Sequence, residues 1–132
     1  MNVGSVFGAI GYPGQSLYCA SKFGLRGFTE ALRREQTDPL VTLMYCAPRA
    51  IKTDLNQGVI ARLNQRFNTA TDTPEVVAKQ IIQQIDKGQA SQTLGWPERL
   101  FVRINGAFPE WVEKSMKKPR QLLSQLSKEL HS

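Results

Sequence analysis

The 132-residue chain is short of the residues that most often build metal centres and disulfides, with two cysteines, Cys19 and Cys46, and one histidine, His131. Both cysteines lie in apolar surroundings without metal-ligand spacing, and no secretion signal directs them to an oxidising compartment. They are expected to be buried free thiols. His131 stands beside the C-terminus, where fraying is the rule, and is a poor candidate for catalysis. No stretch approaches the roughly 20 apolar residues of a membrane-spanning helix, and the N-terminus has no charged segment followed by an apolar one. These absences lead us to expect a soluble, cytoplasmic chain. Concentrated charge is lacking too: 17 basic and 11 acidic residues give a net charge of +6, but they are interleaved along the sequence. Such dispersal does not make a nucleic-acid-binding face, and no nucleic-acid partner is expected. Repeats, low-complexity tracts and linkers are also missing, which implies one structural unit.

What is present follows α/β grammar. Hydrophobic residues make up 41% of the chain, enough for a core at this length. Asn2-Val3-Gly4-Ser5-Val6-Phe7-Gly8 reads as the end of a strand entering a glycine-containing loop, which Gly11, Pro13 and Gly14 extend. Residues Ser16 to Glu35 have few helix breakers and place Ala20, Leu25, Phe28, Ala31 and Leu32 at helical intervals. Asp38-Pro39 ends that helix, and Val41 to Ala47 is an apolar run of the length and character of a buried parallel strand. Residues 48–72 are expected to be mostly irregular, with a short helix near Val59 to Arg66, and long enough to be a functional loop.

The next helix is the best punctuated. Thr73 is its N-cap, Pro74 its first residue, Glu75 complements the dipole and Gly88 stops it. Val76, Val77, Ile81, Ile82 and Ile85 are its expected apolar stripe. A short strand over Ala90 to Gly95 follows, then a tail of mixed spacing from Trp96 that ends in a helix over Arg120 to Leu130.

Tyr18 and Lys22 lie four residues apart on the first helix, so both emerge on one face about a turn apart. A phenol ordinarily titrates near 10 and is a poor acid or base catalyst at neutral pH. A lysine ammonium at roughly 4 to 5 Å, in an effective dielectric near 20, attracts a phenolate by about 3 to 4 kcal/mol. That attraction makes proton exchange at the phenol oxygen feasible. A Tyr-x-x-x-Lys spacing is nonetheless common in helices as a packed aromatic beside a solvated lysine.

Context separates the two. Asn2-Val3-Gly4-Ser5 places Ser5 thirteen residues before Tyr18, Tyr18-Cys19-Ala20-Ser21-Lys22 has small residues between its ends, and Gly24 and Gly27 follow. Together these resemble the active-site segment of the short-chain dehydrogenase/reductase family. Directly after the apolar strand, Pro48-Arg49-Ala50-Ile51-Lys52-Thr53 resembles that family's Pro-Gly-x-x-x-Thr loop, with Arg49 in the usual glycine position. The resemblance implies a fold: a partial Rossmann-like, doubly wound parallel sheet with flanking helices, corresponding to the C-terminal half of a family domain. It also implies roles. Tyr18 would exchange a proton with substrate and also contact the cofactor, Ser5 would donate a hydrogen bond to the reacting oxygen, and Lys22 would support Tyr18 and bond the nicotinamide ribose. Pro48 and Ile51 would lie beside the nicotinamide, and Thr53 would approach its carboxamide or phosphates. The cofactor would be NAD or NADP, and a complete enzyme would be a homo-oligomer.

The family's glycine-rich cofactor turn lies more than a hundred residues before its tyrosine, whereas only seventeen residues precede Tyr18 in this sequence. The motif is therefore absent from this chain, which is expected to be the catalytic half of a domain, or a piece that assembles with other chains, and a poor enzyme by itself. Residues 54–72, with Leu55, Val59, Ile60, Leu63 and Phe67, are expected to border the pocket and to favour an apolar carbonyl or alcohol substrate. Residues 96–132 form a C-terminal helical extension in which aromatic and basic residues mix, including Lys114, Lys117, Lys118 and Arg120. Such a segment either packs on the parent domain or makes peripheral contact with an acidic membrane. The competing reading is a noncatalytic interaction module that uses an exposed sheet edge or this basic tail.

Overall fold

A computed structural model describes residues 1–53 and 69–129. The expected short helix near Val59 to Arg66, and the apolar residues from Leu55 to Phe67, lie outside the described residues. The elements run β1 (Asn2–Val3), a single 3-10 turn (Val6–Gly8), α1 (Ser16–Glu35), β2 (Tyr45–Ala47), α2 (Pro74–Asp86), β3 (Ser91–Thr93), α3 (Glu98–Ala107), α4 (Pro109–Ser115) and α5 (Lys117–Glu129). The three strands form one parallel sheet in the order β1-β2-β3. Asn2 pairs with Tyr45 and Val3 with Cys46, while Tyr45, Cys46 and Ala47 pair with Ser91, Gln92 and Thr93.

Because neighbouring strand residues point to opposite faces, the contacts of Tyr45 and Cys46 show which helix covers which side. Tyr45 shares its face with Asn2, whose Nδ2 donates to Thr29 Oγ1 of α1 at 2.9 Å. Cys46 faces the other way and packs with Val77 of α2 and with Leu94. Helices therefore cover both faces, and the α/β architecture with a partial Rossmann-like sheet is present. Each apolar side chain as fully buried as Leu94 contributes about 1.5 to 3 kcal/mol.

The α2 punctuation is as expected: the Thr73 side chain accepts from the Val76 amide, Pro74 opens the helix, and Gly88 takes a φ of 61° just past its end. Its buried face differs. Val77 and Ile81 turn inward, but Val76, Ile82 and Ile85 are exposed, and the third inward position is the fully buried Gln84. Gln84 Nε2 donates to the carbonyls of Tyr45 and Gln89, both at 2.9 Å, and so ties the helix to β2. On α1 the same shift occurs. Cys19 and Thr29 are buried, whereas Ala20, Phe28 and Ala31 are exposed.

The middle strand is shorter than the apolar run suggested. The Asn2 amide donates to Met44 O at 2.8 Å, just ahead of the strand, while Leu40 and Val41 are exposed. The tail forms three successive helices rather than one. Pro109 opens α4, and the chain turns at Phe108 between α3 and α4. Val112 of α4 packs with Val6 and Ile10, with Val102, Ile104 and Met116 around them, and Asn105 Nδ2 donates to Ala9 O at 2.8 Å. The tail thus rests on the segment that carries Ser5. Among the described residues, no helix is long and apolar enough to cross a membrane.

Candidate active site

The site is assembled where β1 and β2 end. Backbone pairing continues past the strands: the Gly4 amide donates to Cys46 O at 2.7 Å and the Val6 amide to Pro48 O at 3.0 Å. Ser5 is thereby fixed between two hydrogen-bonded neighbours at the carboxyl end of the sheet. Its hydroxyl caps the 3-10 turn by accepting from the Phe7 amide at 3.2 Å. Among the described residues the hydroxyl proton has no acceptor, so it is available to a bound molecule.

Two glycines seat that turn, Gly8 against α1 and Gly4 against Tyr45 of β2. A Cβ on Gly8 would lie 2.8 Å from the Lys22 carbonyl oxygen, closer than side-chain carbons approach backbone, so the turn meets the Tyr18–Lys22 stretch only because residue 8 has no side chain. A Cβ on Gly4 would overlap the Tyr45 ring and hydroxyl, so Tyr45 fills the space beneath the Ser5 loop. Among the described residues the buried Tyr45 hydroxyl has no well-aligned hydrogen-bond partner, the Ser5 amide being its nearest donor. Burial raises its pKa, against the weaker opposing pull of the Ser5 amide, and it stays a neutral phenol.

Tyr18 and Lys22 occupy one face of α1, as their spacing requires. Lys22 Nζ lies 5.6 Å from the Tyr18 ring centroid, and the edge of Phe7 meets the Tyr18 ring at 6.4 Å. Tyr18 is 37% exposed, open to an incoming molecule. The geometry brings the Ser5 turn against the Tyr18–Lys22 stretch at one end of the sheet, and Pro48 is buried beside the Ser5 turn, its carbonyl accepting from the Val6 amide.

Ile51 and Thr53 lie farther along the loop after β2. Ile51 is half-buried and packs toward the Cys46, Val77 and Leu94 cluster, while Thr53 is exposed. The segment is held by a parallel bridge between Ile51 and Asp72, with the Lys52 amide donating to Asp72 O at 2.9 Å and the Asp72 amide to Ala50 O at 3.0 Å.

The motifs alone did not reveal what holds this loop. Arg49 makes a two-pronged contact with Asp72, from Nε at 2.9 Å and Nη2 at 2.7 Å, and its Nη1 stands 3.6 Å from Glu98 Oε2. The hydrogen bonds that Arg49 donates to Asp72 hold the guanidinium proton more firmly still. Gly95, at a φ of 92°, leaves room for the Arg49 side chain, since a Cβ there would lie 2.7 Å from Arg49 Cδ. An arginine at the end of an apolar strand was the available signal, but its partners are 23 and 49 residues away.

A family model described as short chain dehydrogenase matches residues 1–64. SadH of Mycobacterium tuberculosis, named as an oxidoreductase, is 39% identical over 123 residues, covering 81% of this chain and 44% of SadH. The 3-oxoacyl-acyl-carrier-protein reductase FabG of Pseudomonas aeruginosa is 36% identical over 92 residues, 70% of this chain and 32% of FabG. YxnA of Bacillus subtilis, an uncharacterized oxidoreductase, is 30% identical over 125 residues, 89% of this chain and 35% of YxnA. The chain thus spans less than half the length of these relatives. With the Ser5 turn, Tyr18 and Lys22 gathered at the carboxyl end of a parallel sheet, the matches lead to one conclusion: this chain belongs to the short-chain dehydrogenase/reductase family.

Proposed function

We propose that this chain supplies the catalytic groups for interconversion of a carbonyl and an alcohol with NAD or NADP. The observation that carries the reading is the approach of the Ser5 turn to the Tyr18–Lys22 face through Gly8, with the Ser5 hydroxyl proton uncommitted. In the reducing direction, Ser5 donates a hydrogen bond to the carbonyl oxygen and holds it near the Tyr18 phenol. Tyr18 gives its hydroxyl proton to that oxygen as it becomes an alcohol, and Lys22 stabilises the negative charge left on the phenol. When bound, the nicotinamide supplies the hydride that reaches the carbonyl carbon.

The residues present suit the nicotinamide-ribose end of that cofactor. Lys22 makes no ion pair among the described residues and is free to bond ribose hydroxyls, and Pro48, with Ile51 and Thr53 beyond it, borders the same end of the sheet. The name of the FabG relative describes reduction of a 3-oxoacyl group, which is itself a carbonyl, and supports the substrate class.

The test is complementation. Joined to the part of SadH that it does not match, the chain is expected to oxidise NADPH or NADH in the presence of an aliphatic aldehyde or ketone. Tyr18→Phe should lower that turnover by at least about two orders of magnitude while Lys22 still holds the cofactor. No turnover with any carbonyl in a fusion that binds cofactor would overturn the reading.

A noncatalytic interaction module is the second reading. It draws on the exposed aromatics of the tail, Trp96 at 69% and Trp111 at 65%, beside the basic residues of α4 and α5. On that reading the tail contacts a partner or an acidic bilayer, and sedimentation with anionic liposomes would be insensitive to Tyr18→Phe. Equal recovery with and without residues 96–132 would remove it.

A further inference from the structure

A cleft of about 420 Å³ lies between the loop that leads into α1 and the helices α4 and α5. It is of ordinary size for a small-molecule site. Its walls are apolar where Tyr12, Pro13 and Met116 line it, and three cations, Lys114, Lys117 and Arg120, stand on the tail side with one acid, Glu113. Among the described residues the ion pairs are Arg26–Glu30, Arg49–Asp72 and Arg49–Glu98, so none of these three cations has an acidic partner. Lys117 and Arg120 lie three residues apart on α5, where like charges are neighbours and repel, and Lys114 stands at the end of α4 on the same wall of the cleft.

The cleft is built rather than incidental. At one end Val112 and Met116 pack on Val6 and Ile10, and Asn105 bonds Ala9 O. At the other, Gly14 at a φ of 80° lies so close to the Leu123 side chain that a Cβ would meet it at 3.0 Å. The loop is therefore gripped by the tail on both sides of the opening. Cys19, buried on α1, also lines it.

The cleft also communicates with the proposed chemistry. The Tyr12 ring that lines it stacks on Phe7 at 4.9 Å, and the edge of Phe7 meets Tyr18 at 6.4 Å. Two ring contacts thus separate the cleft wall from the proposed catalytic phenol. Burial raises the Tyr12 pKa, which keeps its hydroxyl protonated.

We infer that this cleft binds the anionic head of an otherwise apolar molecule, with a carboxylate or phosphate against Lys114, Lys117 and Arg120 and the carbon chain along Tyr12, Pro13 and Met116. As the far end of a carbonyl substrate, this rests on the oxidoreductase reading above; as a binding site it does not. The apolar walls alone would accept an uncharged chain. The unpaired cations add selectivity for charge, because an anion relieves their mutual repulsion.

The experiment is calorimetric titration of the whole chain with three probes: decanoate below its micelle concentration, decan-1-ol and inorganic phosphate. Decanoate should bind saturably and at least tenfold more tightly than either of the others. Replacing Lys114, Lys117 and Arg120 together by Gln should weaken decanoate at least tenfold and leave decan-1-ol unchanged. These side chains are exposed, so the fold should survive, and Lys118→Gln on the same helix but outside the cleft should change nothing. Equal affinity for decanoate and decan-1-ol, equal affinity for decanoate and phosphate, or undiminished decanoate binding by the triple variant would each overturn the proposal. Hydride transfer is not read in this titration, so loss of the oxidoreductase reading and loss of this site would be told apart.

Discussion

The Tyr45 ring occupies the volume that a side chain on Gly4 would need, so the loop carrying Ser5 is seated directly on a phenol from the middle strand. Gly4→Ala should therefore force the loop and β2 apart, with an overpacking cost of about 1 to 3 kcal/mol. Tyr45→Leu removes the ring and makes room, so the double variant should be less destabilised than the sum of the two single variants. Urea unfolding of the four proteins checks this. Simple additivity would show that the two residues do not share the space.

This contact also shows where the sequence was legible and where it was not. The start and stop of α2 were readable because Thr73, Pro74 and Gly88 act on the backbone locally. The Tyr18–Lys22 relationship was readable because a helix sets the positions of residues four apart. Tyr45 beneath Gly4, Gly8 against Lys22 and Arg49 with Asp72 and Glu98 are contacts between distant segments, which no local period encodes. The α2 stripe misled for a related reason. Gln84 faces inward because its amide finds the carbonyls of Tyr45 and Gln89, and that satisfaction is visible only once β2 is in place.

Arg49 offers a second test, on the loop that carries Ile51 and Thr53. Its side chain and that of Asp72 are mostly shielded from water, so Arg49→Met leaves Asp72 and Glu98 without their cation in a partly dry site. The expected loss is about 1 to 3 kcal/mol, below the range for fully buried pairs because some solvent remains. Arg49→Lys should recover only part, since an ammonium cannot form the two-pronged contact with Asp72. Denaturant unfolding of the three proteins gives the order. Equal stability of the Met variant and the parent would show that the cluster contributes nothing to the fold.

Alkaline stability follows from the burial of Cys46. Burial raises its thiol from the ordinary 9.0 to about 11. Between those values the unfolded chain has released the thiol proton and the folded chain has not, so the folded state loses stability relative to the unfolded one as the pH climbs. The contribution is intact below about pH 9 and disappears as pH rises through about 11, at no more than about 1.4 kcal/mol per pH unit. Tyr45, also raised by burial, acts in the same direction above its ordinary value of 10.0. Urea midpoints measured from pH 8 to 10.5 should fall, and Cys46→Ala should flatten part of that fall whatever its effect at pH 8. An unchanged slope in the Cys46→Ala protein would remove Cys46 as a source.

The proposed division of labour among Ser5, Tyr18 and Lys22 predicts different kinetic signatures in the fusion that supplies the remainder of the domain. Tyr18→Phe removes the proton that the alcohol must receive, and kcat should fall by roughly two to four orders of magnitude. Ser5→Ala removes a hydrogen bond to the reacting oxygen that strengthens as charge develops there, so kcat should fall by about two to three orders while cofactor affinity is retained. Lys22→Met removes both the charge beside the phenol and a ribose contact, and it alone should lower kcat and weaken cofactor binding together. Lys22→Arg keeps the charge but changes its shape, so it should restore part of kcat relative to Lys22→Met. Steady-state kinetics with paired cofactor titrations reads these differences. A Lys22→Met enzyme with normal cofactor affinity would separate Lys22 from the ribose and leave it only the phenol to act upon.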